Sequence, residues 1–287
     1  MEQSGQQEQQ SGVHLPRDLV TYAEEAAREC GNLLIESWRQ PKRDYEEKAP
    51  GDLVSETDRA SEGLARSILL THTPDARFLA EESAGTRAGP SGEDHLTWIV
   101  DPLDGTTNFL HRFPIFAVSI AAARGRELLA GVVYIPVTDE CFSAGQGLGA
   151  TLNGQSISVS PERDLSRGLL ATGWPFRRKE ILESYFEVFT RVLRSAQGIR
   201  RAGAAAVDLA YTAAGRLDGF WEYGLSIWDV AAGALLIQEA GGSVSDFAGR
   251  EQWWTSGDIV ATNGAIHDAL LTTAATPNGI SDLEIHA

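Results

Sequence analysis

The chain is poor in cysteine and in basic charge, and it has no long apolar run. Two cysteines in 287 residues, Cys30 and Cys141, stand far apart. They fit no metal-ligand spacing or disulfide framework, and both read as reduced packing residues. Lysine and arginine number 24 against 40 aspartates and glutamates, a formal charge of −16. The basic residues are scattered and form no run able to track a phosphate backbone, which argues against nucleic-acid binding as the main task. No stretch approaches the ~18–20 apolar residues of a membrane span. The opening MEQSGQQEQQSG has neither the basic start nor the apolar segment of a secretory leader. These absences point to a soluble, cytoplasmic protein with no membrane role. The histidines show no H-E-x-x-H or paired spacing, so zinc hydrolysis lacks ligands, and there is no G-x-S-x-G nucleophile elbow.

What remains is enough to build a large core: 43% of the residues are hydrophobic and 22% charged, on a chain long enough for two domains at ~150 residues each. Residues 1–14 read as a Gln-rich, disordered tail. Leu19, Ala23, Ala26, Ala27, Leu33 and Leu34 recur at helical spacing between Leu15 and Trp38. A charged segment from Lys42 ends in Pro50-Gly51, and a second amphipathic helix runs through Ala60, Leu64, Ile68 and Leu69 to stop before Pro74. Strands are expected at 78–80, 96–100, 116–122, 128–135, 140–144 and 156–160, with a turn at Asn153-Gly154. Helical and strand patterns alternate from Gly168 onward. The reading is an α+β domain over 15–152 with an antiparallel sheet, then an α/β domain over 153–287. Gly145-Gln146-Gly147-Leu148-Gly149-Ala150 imitates a dinucleotide fingerprint, but it precedes a turn between strands and not a helix, so it is set aside.

Acidic residues gather at the ends of these elements. Asp101-Pro102-Leu103-Asp104-Gly105-Thr106-Thr107-Asn108 follows the strand 96–100. Pro102 is expected to stop the ladder and turn Asp101 and Asp104 toward one point. Carboxylates gathered in a partly buried place raise each other's pKa unless a cation joins them, and oxygen-only ligation favours a hard ion such as Mg²⁺. Gly105 and the threonines after it could then offer backbone amides to an anion. The same residues also suit an ordinary turn, where Asp and Gly are chosen for geometry. Glu81-Glu82-Ser83 follows the next strand end and can equally be a solvated acidic pair. Asp229 opens an apolar helix, where a carboxylate also simply suits the positive helix end. Ser55 and Asp58 match a capping box, the plainer alternative to Asp58 polarising a hydroxyl.

Taken together, DLVSETD at 52–58, FLAEES at 78–83, WIVDPLDGTTN at 98–108, GAAAV at 203–207 and WDVAAG at 228–233 resemble the inositol monophosphatase family of Mg²⁺-dependent, lithium-sensitive phosphatases. The resemblance spans nearly all of residues 15–275. It implies the layered α-β-α-β-α sandwich of the sugar phosphatases, with the site at the domain junction, and a homodimer. It also implies two to three Mg²⁺ ions. Glu81, Asp101 and the carbonyl of Leu103 would hold the first, and Asp101, Asp104 and Asp229 the second, with Glu81 at a weaker third. Thr106 with Asp58 would orient and deprotonate the attacking water, with Glu81 beside them. The amides of Gly105 and Thr106 would hold phosphate, while Gly203, Ala204, Ala205 and Glu222 would meet the polyol hydroxyls. Lys48 would help to place the anion.

Departures from the family pattern are small: Ala80 replaces a frequent Gly, Ala204 a frequent Ser or Thr, and Trp174 varies a wall near the substrate. The implied reaction is hydrolysis of myo-inositol monophosphate, a small-molecule phosphate ester. Fructose-1,6-bisphosphatase, 3′-phosphoadenosine-5′-phosphate phosphatase and histidinol-phosphate phosphatase activities are rivals within the fold. An accessory role in transcription through protein contacts is the rival from another class.

Overall fold

The computed structural model describes residues 14–40, 45–49, 52–83, 95–175 and 178–275, with only the backbone described for 45–49 and 52–55. Most of the tail expected at 1–14 therefore lies outside the described residues. Among the described residues no helix is long and apolar enough to cross a membrane. The chain opens with helix α1 (Pro16–Trp38), a hairpin β1 (Tyr45–Ala49) and β2 (Asp52–Ser55), and helix α2 (Glu56–His72). Strands β3 (Arg77–Ala80) and β4 (Leu96–Asp104) follow, then the short helix α3 (Thr106–Leu110). A run of strands comes next: β5 (Ala117–Arg124), β6 (Glu127–Ile135), β7 (Glu140–Gly145), β8 (Gly149–Leu152) and β9 (Gln155–Ile157). The second half alternates β10 (Leu169–Thr172), α4 (Leu182–Ser195), β11 (Gly198–Arg200), α5 (Ala205–Ala213), β12 (Gly219–Glu222) and α6 (Ile227–Glu239). It closes with β13 (Ser243–Ser245), α7 (Trp253–Ser256), β14 (Ile259–Thr262) and α8 (His267–Ala274).

A seven-stranded sheet takes its strands in chain order from β3 to β9, and a five-stranded sheet is ordered β11-β10-β12-β14-β13. Only the β3–β4 pair is parallel in the first sheet, whereas β10 runs parallel to both β11 and β12 in the second. The apolar side chains sort these sheets into layers. Along β5, Val118, Ile120 and Ala122 pack with α1 and α2 on one face, while Ala117, Ala121 and Ala123 pack with α5 and α6 on the other. Burial on both faces explains why the strands read as continuous apolar runs and not as alternating ones. The far side of the helix pair meets Phe220, Ile259 and Ala261 of the second sheet. Trp221 and Val260 turn to the opposite face, toward Tyr185, Val188 and Val192 of α4 and Leu270 of α8. The result is an α-β-α-β-α stack, the fold class expected from the resemblance.

Small residues set the spacing of the middle layer. A Cβ on Gly131 of β6 would lie 2.8 Å from the carbonyl oxygen of Ala232 on α6, so helix and sheet meet backbone to backbone. The cysteines pack as expected: both are free and buried, and burial pushes each thiol up to about 11. Gly145 ends β7 and Gly149 begins β8, so the imitation fingerprint is a strand-to-strand turn.

Three expectations need correcting. Tyr45–Ala49 forms the first arm of a hairpin, although its charges read as a loop. β8, β11 and α7 were not anticipated. Pro102 does not end β4, which continues to Asp104.

Candidate active site

The slip in β4 is what aims the first two carboxylates. Asp101 pairs with Ser119 and Asp104 with Ala117, so two residues of β4 oppose one of β5. Pro102 sits in this bulge, where the ladder needs no amide from it. Leu103 donates its amide to Asp101 Oδ1 at 3.0 Å, folding the bulge onto its own carboxylate. Glu81 stands just past β3 and is tied to β4 by its amide, which donates to the Val100 carbonyl at 3.3 Å. Gly105 then takes a left-handed φ of 88°, which starts α3 immediately after Asp104.

Across the cleft, Ala204 occupies the cap position of α5 with no side-chain oxygen to offer. Asp104 supplies one from the other half of the chain: the Ala206 amide donates to its Oδ2 at 2.7 Å. In α6, Asp229 accepts from the Ser226 amide at 2.7 Å. A cleft of about 330 Å³ opens among these parts, lined by Glu81, Asp101, Leu103, Asp104, Gly105, Thr106, Gly203, Ala204, Ala205, Glu222 and Asp229. Asp58 lies behind the wall, 1% exposed, and accepts from the Thr106 hydroxyl at 3.1 Å. The Leu103 carbonyl, 3.2 Å from the same hydroxyl, competes for its one proton. Lys48 falls where the β1–β2 pairing turns irregular, and its side chain lies outside the described residues.

The electrostatics of the cleft are dominated by buried anions. Burial pushes Asp101 well above the usual carboxylate range, with the charges of Glu81, Asp104 and Asp229 adding to it. Burial, then Asp229, lifts Asp104 to about 8. Glu222 is raised by burial, with Arg201 opposing. Such a cluster is stable when a positive charge enters it. The amide end of α5 already holds the Asp104 carboxylate, while Gly105 and Thr106 at the start of α3 line the same cleft, where their amides suit an anion beside that charge.

Among the described residues no three His, Cys, Asp or Glu side chains are gathered into a ready-made ligand cluster. Mg²⁺ takes one or two carboxylates and completes its shell with water and phosphate. The donors here are oxygen only, so the residues fit a hard divalent cation.

Several lining residues carry no signal that sequence reading could use. Asp208 is a lone acid inside the Ala-rich α5, 3% exposed and raised well above its ordinary range by burial and Asp104. Arg201 and Arg178 supply the positive charge on the wall. Gly173 lies so close to Glu222 that a Cβ there would fall 1.9 Å from Oε1. Trp174, singled out as a wall, does line the cleft.

The model of the inositol monophosphatase family matches residues 16–278. The chain belongs to the inositol monophosphatase family. It is 47% identical over 258 residues to the Nus factor SuhB of Pseudomonas aeruginosa, covering 89% of this chain and 95% of that protein. It is 41% identical over 274 residues to the inositol-1-monophosphatase of Synechocystis, covering 93% and 94%. Among solved structures, the extragenic suppressor protein suhB of Bartonella henselae superposes with a TM-score of 0.84 at 40% identity, over 90% of this chain and 99% of that one. Membership of the inositol monophosphatase family supports a phosphatase, a metal-dependent hydrolase of phosphate esters.

Proposed function

We propose that the chain is a Mg²⁺-dependent phosphomonoesterase that hydrolyses myo-inositol monophosphate to myo-inositol and phosphate. The observation that supports this reading most is the meeting, in one cleft, of buried carboxylates with Gly105 and Thr106 at the start of α3. Such a place rejects a bare anion and accepts one together with cations. We assign Glu81, Asp101, Asp104, Asp229 and the Leu103 carbonyl to two or three Mg²⁺ ions. When bound, the ions supply neutralising charge, a more acidic water and support for the leaving alkoxide.

The chain's own residues do the rest. With the Leu103 carbonyl given to a cation, the Thr106 hydroxyl proton goes to Asp58. The Thr106 oxygen is then oriented to accept a proton from the attacking water, and Asp58 is the buried base behind it. We assign Glu81, which lines the same cleft, to hold that water as well. The amides of Gly105 and Thr106 take the phosphate oxygens. Gly203, Ala204 and Ala205 offer backbone to the alcohol, and Glu222 accepts from its hydroxyls. Lithium sensitivity, a homodimeric assembly and a cytoplasmic location belong to the same reading.

The test is phosphate release from inositol monophosphates, fructose 1,6-bisphosphate, 3′-phosphoadenosine 5′-phosphate and histidinol phosphate, with and without Mg²⁺ and Li⁺. Mg²⁺-dependent turnover favouring inositol monophosphate is expected. Preference for another ester would move the substrate and keep the chemistry, while silence on every ester would remove both.

The names of relatives favour one further reading. The Pseudomonas aeruginosa protein is named a Nus factor, and a transcription partner for this chain is the corresponding proposal. Partner binding that survives Asp104→Asn would mark that role as separate from hydrolysis, and binding lost with turnover would tie the two together.

A further inference from the structure

One side chain joins the two helix ends that face the cleft. Asn108 sits on α3, and its Nδ2 donates to the Ile115 carbonyl at 2.7 Å and to the Ala202 carbonyl at 2.9 Å. Both acceptors are carbonyl oxygens, so the amide nitrogen and not its oxygen faces them, and its two protons are both used. Ala202 lies on the approach to α5, 94 residues further along the chain. The surrounding packing leaves this joint no slack. Gly203 has a φ of 91°, and a Cβ on it would lie 3.1 Å from Asn108 Nδ2. Gly105 has a φ of 88°, and a Cβ on it would lie 3.1 Å from the Ile115 carbonyl and 3.3 Å from Ala204 Cβ. The starts of α3 and α5 thus approach too closely for a side chain at Gly105 or Gly203, with Asn108 bonded to the strand leader on one side and the helix leader on the other.

We propose that Asn108 is a positioning residue for phosphate: it fixes the start of α3, whose Gly105 and Thr106 amides take the anion, against the strand leader at Ile115 and the helix leader at Ala202. The inference rests on the phosphatase reading above. Asn108 does not touch the reacting atoms in this assignment; it acts through the placement of Gly105 and Thr106. An anion bound by several amides is sensitive to small displacements, because each donor must meet an oxygen at 2.7–3.2 Å to count. Loosening the joint therefore weakens phosphate binding and slows turnover while the carboxylates of β4 stay where the bulge puts them.

The test uses the full chain with saturating Mg²⁺ and inorganic phosphate as the probe. Calorimetry is expected to give Asn108→Ala a phosphate Kd at least about tenfold above the native value. Its kcat for inositol monophosphate should fall by a similar factor, and its Mg²⁺ affinity should stay within about twofold of native. Asn108→Asp keeps the size and tests the donor itself. Its ionised carboxylate faces two carbonyls at pH 7.5, but the protonated form regains one donor. The ratio of its phosphate Kd to the native one should shrink as the pH is lowered to 5.5, a signature that loss of packing would not produce.

A folded Asn108→Ala with native phosphate affinity and turnover would overturn the proposal while leaving the phosphatase reading intact. An Asn108→Asp ratio that does not move with pH would overturn the donor role even if Asn108→Ala failed to fold. A native protein that neither binds phosphate nor releases it from any ester would overturn the reading, and this proposal with it.

Discussion

Asp104 does two things with one carboxylate: it caps α5 through the Ala206 amide, and it shares the cleft with Asp101 and Asp229. Asparagine in its place can still accept from that amide through its own carbonyl oxygen, but it carries no charge for a cation. Asp104→Asn is therefore expected to fold, with an unfolding midpoint equal to or above the native one in the absence of Mg²⁺, because a carboxyl that burial and Asp229 make costly to ionise is replaced by a neutral group of the same shape. Turnover should fall by about 100-fold or more, since even neighbours of metal ligands cost 10–100-fold. Steady-state kinetics and thermal melting on the same preparation check both halves. Near-native turnover at saturating Mg²⁺ would sink the ligand assignment.

At this scale the carboxylates that line the candidate cleft were legible in the sequence, because carboxylates at strand ends followed by glycine are an unusual use of charge. Asp208 and Arg201 were not legible as parts of the cleft, because a single acid in an alanine-rich helix looks the same whether it faces water or a cleft. Asn108 stands inside the 98–108 motif, but its bond to Ala202, 94 residues further on, leaves no trace in the sequence.

At the scale of elements, two close approaches make predictions. Gly131 of β6 faces the Ala232 carbonyl across a gap that a Cβ would close to 2.8 Å. The obstacle is backbone, so α6 itself must shift to admit a methyl group. Gly131→Ala is expected to destabilise the fold by roughly 1–3 kcal/mol, read by urea denaturation. An unchanged midpoint would mean that the helix layer is not held by this contact.

The second concerns His267 at the start of α8. Ser245 Oγ donates to the Asp246 carbonyl at 2.7 Å, so His267 Nε2 must donate to Ser245 Oγ at 2.9 Å. Nδ1 is then left to accept from Thr262 Oγ1 at 3.0 Å. The neutral ring ties together β13, β14 and α8, and its pKa is lowered by burial, with Asp268 opposing. A histidine lowered in the folded state favours folding above its unfolded pKa of ~6.5, and that contribution shrinks as the pH falls below it. Denaturation at pH 7.5 and 5.5 should show a loss of stability on acidification that His267→Gln reduces; equal losses in both proteins would refute the latch.

Elements with long periodic patterns, such as α1 and α2, were readable in advance, and so was α6 as a long apolar run closed by Gly241-Gly242. β1 was not, because Tyr45-Glu46-Glu47-Lys48-Ala49 pairs with β2 in a two-stranded sheet separate from the two large ones, and its charges show no strand pattern. β11 and α7 are too short, at 3 and 4 residues, to show a period. Pro102 misled because a bulge tolerates what a regular ladder does not.

At the scale of the whole molecule, the middle layer decides how the chain unfolds. α5 and α6 come from the second half of the sequence, yet they cover the inner face of the seven-stranded sheet as well as that of the five-stranded one, in one continuous core from Ile99 to Ala261. A cut between the proposed halves 15–152 and 153–287 would strip Ala117, Ala121, Val133 and Phe142 of their helix partners. Each half would then expose an apolar sheet face to water, at about 25 cal/mol for every Å² uncovered. Neither half is therefore expected to fold alone, and the intact chain should unfold in a single transition.

Trp98 in the first sheet and Trp221 in the second are both fully buried, so single Trp→Phe variants can shift the weight of the fluorescence signal from one sheet to the other. The two readouts should share one urea midpoint. Adding Mg²⁺ should raise both together, by about 2.7 kcal/mol at a hundred times its Kd, because the proposed ligands Asp101 and Asp104 come from one half and Asp229 from the other. Midpoints that separate, or a Mg²⁺ shift confined to the Trp98 signal, would show that each sheet holds its own core and that the cation is bound by the first half alone.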